Sequence, residues 1–265
     1  VKSILITGIN SYIGRNFDNY INQNFNDYST DSISVKSDEW IDKDFSKYNI
    51  LLHVAAIVHK REKKEKELTY FEVNSNLTVK LAKKAKESGV KQFIFMSTMA
   101  VYGEQGKLSK EVNITKKTVP NPISLYGKSK LHAEKEIMKL ASENFKVTIV
   151  RPPMIYGEDC PGNFKSLKKL ALLTPIFPMI DNQRSMLNVN KLCYFLEKYI
   201  DLNASGIYLP QDEAYVNTSR LVKSIREESG RKMILSKKLG ILILFIGKKS
   251  SLINKVFGNL TYKKE

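Results

Sequence analysis

Residues 3–14 read Ser3-Ile4-Leu5-Ile6-Thr7-Gly8-Ile9-Asn10-Ser11-Tyr12-Ile13-Gly14. Ser3–Thr7 is a short aliphatic and β-branched run, the pattern of a strand buried on both faces. A glycine turn follows and opens a helix that the pattern carries to about Asn22. Such a junction aims backbone N–H groups and a helix N-terminus at an anion, and a pyrophosphate suits it. Gly8 permits the tight turn, and Gly14 permits close packing of helix on strand. The central glycine of the usual three is replaced by Ser11. A Cβ there crowds the phosphates, although the hydroxyl can donate to one. Gly8 to Gly14, with Asn10, Ser11, Tyr12 and Ile13 between them, is therefore the expected seat of a dinucleotide cofactor.

Outward from this turn the strand–helix alternation repeats. Ser32–Lys36, Ile50–Ala55, Lys91–Ser97 and Val147–Arg151 read as further strands. Val73–Ser88 carries Val73, Leu77, Leu81 and Ala85 on one helical face and is stopped by Gly89; Tyr126–Ala141 is a second long helix. The expected fold is α/β, a Rossmann doubly wound parallel sheet with a small C-terminal substrate annex. In the final third, Gly157–Asn188 reads as irregular. Asn190–Ile200 and Asn217–Glu228 read as helices, the latter capped by Thr218 or Ser219, and Gly206–Leu209 as a last strand. The core is thus placed at 1–156 with a return segment near 186–210, and the annex at 157–185 and 211–265.

The 265 residues are 42% hydrophobic and 26% charged, which suits a folded chain with a real core and excludes a disordered or collagen-like one. Two cysteines exclude a disulfide scaffold, and no His/Cys/Asp group has metal-ligand spacing. There is no secretory leader pattern and no apolar run near the ~20 residues that a spanning helix needs. A reducing, cytoplasmic location is expected. The formal charge of +16 points to nucleic acid, an anionic membrane surface or phosphorylated substrates.

Tyr126-Gly127-Lys128-Ser129-Lys130 places Tyr126 and Lys130 one turn apart on a helix face. An ammonium close to a phenol favours the phenolate, which makes Tyr126 an acid/base group near neutrality. Ser97-Thr98 closes the preceding strand, at the carboxyl edge where ligands bind. The second strand is read to end at Val35-Lys36-Ser37, with no carboxylate for a ribose 2′-hydroxyl. Lys36 there favours NADP over NAD, unless it is merely a solvated strand end.

The ordered set ILITGINSYIG, LLHVAA (Leu51–Ala56), NSNLT, FIFMSTMAVYG (Phe93–Gly103), YGKSKLHAE (Tyr126–Glu134), RPPMIYG (Arg151–Gly157) and NQRSMLNVNKL (Asn182–Leu192) resembles the extended short-chain dehydrogenase/reductases, the NAD-dependent epimerase/dehydratases. The resemblance implies a nucleotide-sugar enzyme, with a UDP-sugar as expected substrate. Thr98 would bond the sugar oxygen at C4, Tyr126 would be the acid/base, and Lys130 would hold the nicotinamide ribose. Asp44 and Phe45 would touch adenine, Ala55, Ala56 and Asn74 would line the cofactor, and Pro152 would sit by the nicotinamide. Met99, Asn163 and Arg184 would contact substrate. It further implies a homodimer through the two long helices and a role in surface polysaccharide precursor synthesis. Dehydratases of this family carry Asp-Glu directly after the catalytic Thr; here Met99-Ala100 stand there, which argues against elimination of water. What remains is 4-keto-sugar reduction or C4 epimerisation, the short annex and Lys36 tilting towards reduction. The ending at TYKKE is early for this family, so the annex is expected to be short or incomplete.

The alternative of another class is a non-catalytic NAD(P)-binding regulator or nucleic-acid-binding protein. The retained trio and the lack of any nucleic-acid-binding motif argue against it. His53 reads as a core histidine, and His59 as part of the solvated run Lys60–Glu67. His132 reads as structural, Trp40 as packing, and Cys160 has no visible partner base. Leu239–Phe257 with interleaved lysines reads either as an annex helix with snorkelling lysines or as a peripheral membrane contact. Twelve basic and three acidic residues lie in 215–265, so nine of the sixteen excess positive charges sit there rather than on the core.

Overall fold

The computed structural model of the chain describes residues 1–58 and 67–264. Six strands, Lys2–Thr7 (β1), Tyr28–Ile33 (β2), Ile50–His53 (β3), Gln92–Met96 (β4), Lys146–Val150 (β5) and Gly206–Tyr208 (β6), form an all-parallel sheet in the order β6-β5-β4-β3-β1-β2. The principal helices are Tyr12–Asn24 (α1), Leu77–Glu87 (α2), Leu125–Met138 (α3), Asn163–Leu173 (α4), Val189–Asp201 (α5), Thr218–Glu228 (α6), Lys237–Ile246 (α7) and Ser251–Phe257 (α8). The strand order reverses beside β1, so the carboxyl ends of β1 and β3 flank the switch point at which doubly wound sheets bind ligands. Among the described residues no helix is long and apolar enough to cross a membrane.

The chain divides into two compact units. The first comprises Val1–Gly103, Pro120–Pro152 and Val189–Pro210; the second comprises Glu104–Val119, Pro153–Asn188 and Gln211–Glu265. Glu104–Val119, read in the sequence as core, thus groups with the annex segments.

In the first unit, Leu5, Leu51, Phe93, Phe95, Val147 and Ile149 of the sheet pack with Leu81, Ala82 and Ala85 of α2 and Ala133 and Ile137 of α3. Ile4, Ile6, Leu52 and Ile94, equally buried, point the other way, as alternation along a strand requires. Helices α1 and α5 pack on each other. Gly89 ends α2 at φ +83°, with Gly89 N–H donating to the Lys86 carbonyl and Val90 N–H to the Ala85 carbonyl, a Schellman closure.

Four local expectations need correction. The second strand is Tyr28–Ile33, not Ser32–Lys36. It is the sheet edge, with Tyr28 its one buried residue, packed on Phe25 and opposite Lys2; the apolar pattern of an inner strand is therefore lacking. Gly157–Asn188 contains α4, and α6 is capped by Asn217, whose side chain accepts from Arg220 N–H at 3.0 Å. The helix read from Val73 begins earlier, as Glu67–Phe71 and then a π-helical turn Glu72–Asn76 that runs into α2. In the second unit, three parallel two-stranded pairs join 113–114 to 261–262, 154–156 to 186–188 and 176–178 to 234–236.

Candidate active site

The β1–α1 turn has the backbone that a dinucleotide requires. Gly8 adopts φ +95°, and a Cβ there would meet the Ala55 backbone at 3.2 Å. A Cβ added at Gly14 would touch Ile6 and Val54 at 3.2 Å. Ser11 caps α1, its Oγ accepting from Gly14 N–H at 3.3 Å, which leaves its hydroxyl hydrogen to donate elsewhere. Asn10 is exposed, Tyr12 and Ile13 are half-buried, and the first turn of α1 carries no acid. A helix start free of carboxylates suits an anion.

Other cofactor candidates are distributed less evenly. Ala55 and Ala56 are half-buried just past β3. Lys36 does not end the second strand; it is exposed three residues beyond Ile33, its N–H bonded to Ser34 Oγ at 3.4 Å, so the ground for preferring NADP falls away. Asp44 is exposed and accepts from the backbone and hydroxyl of Ser46, which hold its carboxyl below the usual range. The Phe45 ring lies in the core, with Lys84 Nζ 4.9 Å from its centroid, so only its backbone can face a ligand. Asn74 is fully buried. Its amide pairs with both backbone groups of Ile57 (2.8 and 3.1 Å) and donates to Ser129 Oγ at 3.2 Å. This ties the chain after β3 to α3, a positioning part that sequence spacing did not reveal.

The trio lies within the first unit. Thr98 caps the 3₁₀ turn Met99–Tyr102, accepting from Ala100 N–H at 3.1 Å, and its side chain hydrogen-bonds the Tyr126 phenol. Gly127 lets α3 approach that turn, since a Cβ would stand 2.7 Å from the Ala100 carbonyl oxygen. Met99 is buried, its N–H donating to the Pro152 carbonyl at 2.9 Å. Burial pushes the Tyr126 phenol up to about 12, against the hydrogen bond from Thr98. Lys130 is buried at 1% exposure; its ammonium donates to the Met96 carbonyl at 2.8 Å and lies 4.4 Å from the Phe95 ring centroid. Burial pulls it down to about 7, partly offset by Glu134. The expectation that Lys130 lowers the Tyr126 pKa is thus not met in this state, because desolvation dominates both groups.

Ser97 and Thr98 separate into different roles. Ser97 Oγ donates to Glu134, and Arg151 grips the same carboxylate through Nε (3.0 Å) and a terminal nitrogen, while its other terminal nitrogen donates to the Tyr102 hydroxyl at 2.8 Å. Glu134 and Arg151 are both buried and fix α3 against the sheet edge. His53 bridges Thr7 Oγ1 (2.6 Å) and Thr78 Oγ1 (2.8 Å). Thr78 donates to the Asn74 carbonyl, so it accepts from His53 Nε2–H, and Nδ1 accepts from Thr7. His53 is therefore a satisfied core histidine held neutral by burial. His132 bonds Ser75 Oγ at 2.7 Å, and Trp40 is core. His59 and residues 60–66 of the charged run after it lie outside the described residues.

In the second unit, Asn163 is the exposed first residue of α4. The Arg184 guanidinium donates to the Gly258 carbonyl at 2.7 Å, and burial draws it down to about 10. Among the described residues no carboxylate offsets that burial. Cys160 and Cys193 are buried and form no disulfide with each other; the Cys160 thiol donates to the Ile155 carbonyl at 3.3 Å. Among the described residues no group of His, Cys, Asp and Glu could hold a metal ion.

Residues 4–174 match the model of the NAD dependent epimerase/dehydratase family. The chain belongs to this family. As a member it is a nicotinamide-dependent enzyme of the extended short-chain dehydrogenase/reductase type. It is similar to a UDP-glucose 4-epimerase of Vibrio cholerae, at 34% identity over 249 residues covering 84% of this chain and 75% of the relative. It is also similar to the N-acetyl-alpha-D-glucosaminyl-diphospho-ditrans,octacis-undecaprenol 4-epimerase of Escherichia coli O157:H7, at 31% identity over 62% of this chain and 50% of the relative. The fold matches a dTDP-4-dehydrorhamnose reductase from Bacillus anthracis solved with NADP, with TM-score 0.73 and 18% identity over 100% of this chain and 91% of that one.

Proposed function

We propose that the protein is a 4-epimerase of a diphosphate-linked sugar, with a UDP-sugar as its substrate, and that Thr98, Tyr126 and Lys130 carry the chemistry. The observation that supports this best is the hydrogen bond between Thr98 and the Tyr126 phenol, one helical turn from the buried Lys130. Epimerisation is preferred to ketoreduction on two grounds. Both curated relatives are named as 4-epimerases, and Lys36 no longer argues for NADP. Either nicotinamide cofactor fits the turn.

When bound, a nicotinamide cofactor would supply the hydride acceptor and donor for the sugar carbon. Tyr126 is the acid/base for the C4 hydroxyl, taking its proton and giving it back. Thr98 holds the same oxygen and sets its distance from the phenol. Lys130 holds the ribose, and an ammonium drawn towards Tyr126 would lower the phenol from about 12. The turn Gly8–Gly14, with Asn10, Ser11, Tyr12 and Ile13, holds the pyrophosphate. Asp44 and the Phe45 backbone meet adenine, and Ala55, Ala56 and Pro152 line the rest. Met99 meets substrate; in the second unit, Asn163 and Arg184 are groups of a kind that binds a diphosphate, Arg184 as a guanidinium fork. Met99 and Ala100 supply no acid or base, so elimination of water is not supported.

The enzyme would serve surface polysaccharide precursor synthesis, and a homodimer would form through α2 and α3, which light scattering tests. For the reaction, UDP-, GDP- and dTDP-sugars are screened with NAD and NADP by thermal shift, and the products by NMR. A C4-inverted UDP-sugar is expected. A product formed only with stoichiometric NADPH would favour ketoreduction instead.

A further inference from the structure

Helix α7 carries its apolar residues on the wrong side for a helix facing water. Its sequence is KKLGILILFI. Gly240 fixes the inward side: a Cβ there would stand 2.0 Å from the Met179 carbonyl oxygen, so the helix backbone presses directly on the chain after the strand 176–178. At about 100° per residue, Ile243, Leu244 and Gly247 share that side, and all are buried or half-buried. Opposite them stand Ile241, Leu242, Phe245 and Ile246, all exposed, with Phe245 at 87%. The outward side of a surface helix is normally polar; here its middle turns carry no polar residue.

The ends of this strip are cationic. Lys237 and Lys238 begin the helix, and Lys248 and Lys249 follow its last turn, all exposed. On α8 the exposed Leu252 lies one turn from Lys255. Between residues 229 and 264 there are nine Lys or Arg and no Asp or Glu. Exposed apolar residues scattered singly are ordinary, but an unbroken strip framed by cations marks an interaction site.

Charge separates the candidate occupants. A second copy packed strip to strip would bring lysines against lysines. An anionic bilayer accepts both features: the apolar side enters the boundary of headgroups and acyl chains, and the lysines reach lipid phosphates. Ten residues are too few to span about 30 Å of hydrocarbon, so the helix lies in the plane of the interface.

We propose that α7, assisted by Leu252 and Lys255, seats the protein on an anionic lipid bilayer. The proposal does not depend on the catalytic reading. The test floats the full chain with phosphatidylcholine vesicles, with and without phosphatidylglycerol, at low and high salt. It compares wild type with Leu242→Ser/Phe245→Ser and with Lys238→Glu/Lys249→Glu, whose folds are checked by circular dichroism. Wild type should float with phosphatidylglycerol vesicles at low salt and be released by high salt, and each double variant should lower the bound fraction about tenfold. Wild type failing to float with the anionic vesicles would overturn the proposal, as would binding unchanged in both variants. A dimer in solution that the Leu242→Ser/Phe245→Ser pair dissociates would assign the strip to a second copy and overturn it equally.

Discussion

At the scale of single residues, the decisive contrast is between Ser97 and Thr98. Adjacent and chemically alike, they serve different ends: Ser97 is committed to Glu134, whereas Thr98 meets the Tyr126 phenol. Thr98→Val should therefore lower kcat by about 10–100-fold while leaving the melting temperature near wild type, whereas Ser97→Ala should mainly cost stability. Steady-state kinetics beside thermal melts check the pair. Lys130 offers a direct electrostatic test. Its side chain is drawn to about 7 from an ordinary 10.5, so between these values the unfolded chain binds a proton that the folded one does not. This group's contribution to stability rises as pH increases from about 7 towards 10.5 and is lost as pH falls through that window. Lysine ¹³C NMR should find one side chain titrating near 7 that disappears in Lys130→Met. Tyr126 and Lys130 were legible from the spacing of YxxxK and the Ser97-Thr98 pair from its strand end, while the choice of Thr98 came from the family resemblance. The direction of the Tyr126 shift was not, because it depends on burial that the sequence does not display.

At the scale of elements, α3 is placed by two contacts of different kinds. Gly127 allows its first turn to approach the Met99–Tyr102 turn, and Gly127→Val should cost about 1–3 kcal/mol and reduce activity by displacing Tyr126 relative to Thr98. Further along, the buried Glu134–Arg151 pair anchors the helix. Glu134→Gln leaves Arg151 buried without its counter-charge and should cost about 3–5 kcal/mol, read from a urea midpoint. The strands that were legible in the sequence are those buried on both faces, such as Ile50–His53 and Gln92–Met96, where apolar runs are continuous. The edge strand Tyr28–Ile33 was misplaced because most of its residues are solvated and only Tyr28 is fully buried. Helix α4 was missed behind its flanking glycines and prolines. Asn74 could be read as a candidate but not as a tie, since its partners lie 17 and 55 positions away.

At the scale of the whole molecule, the charge and the chemistry belong to different units. The first unit holds the sheet, the phosphate turn and the trio; most of the excess positive charge lies in the final 51 residues. The proposed seating of that segment on an anionic surface should therefore weaken as salt rises. The central claim is that a Tyr126-dependent proton exchange inverts C4 of a diphosphate-linked sugar while the nicotinamide cofactor is regenerated. It is tested most directly by following UDP-sugars with ¹H NMR in the presence of catalytic NAD, comparing wild type with Tyr126→Phe. Wild type should give the C4 epimer with no net consumption of cofactor, and Tyr126→Phe should bind cofactor yet turn over about 10²–10⁴-fold more slowly. Inversion at the wild-type rate in Tyr126→Phe would contradict the account.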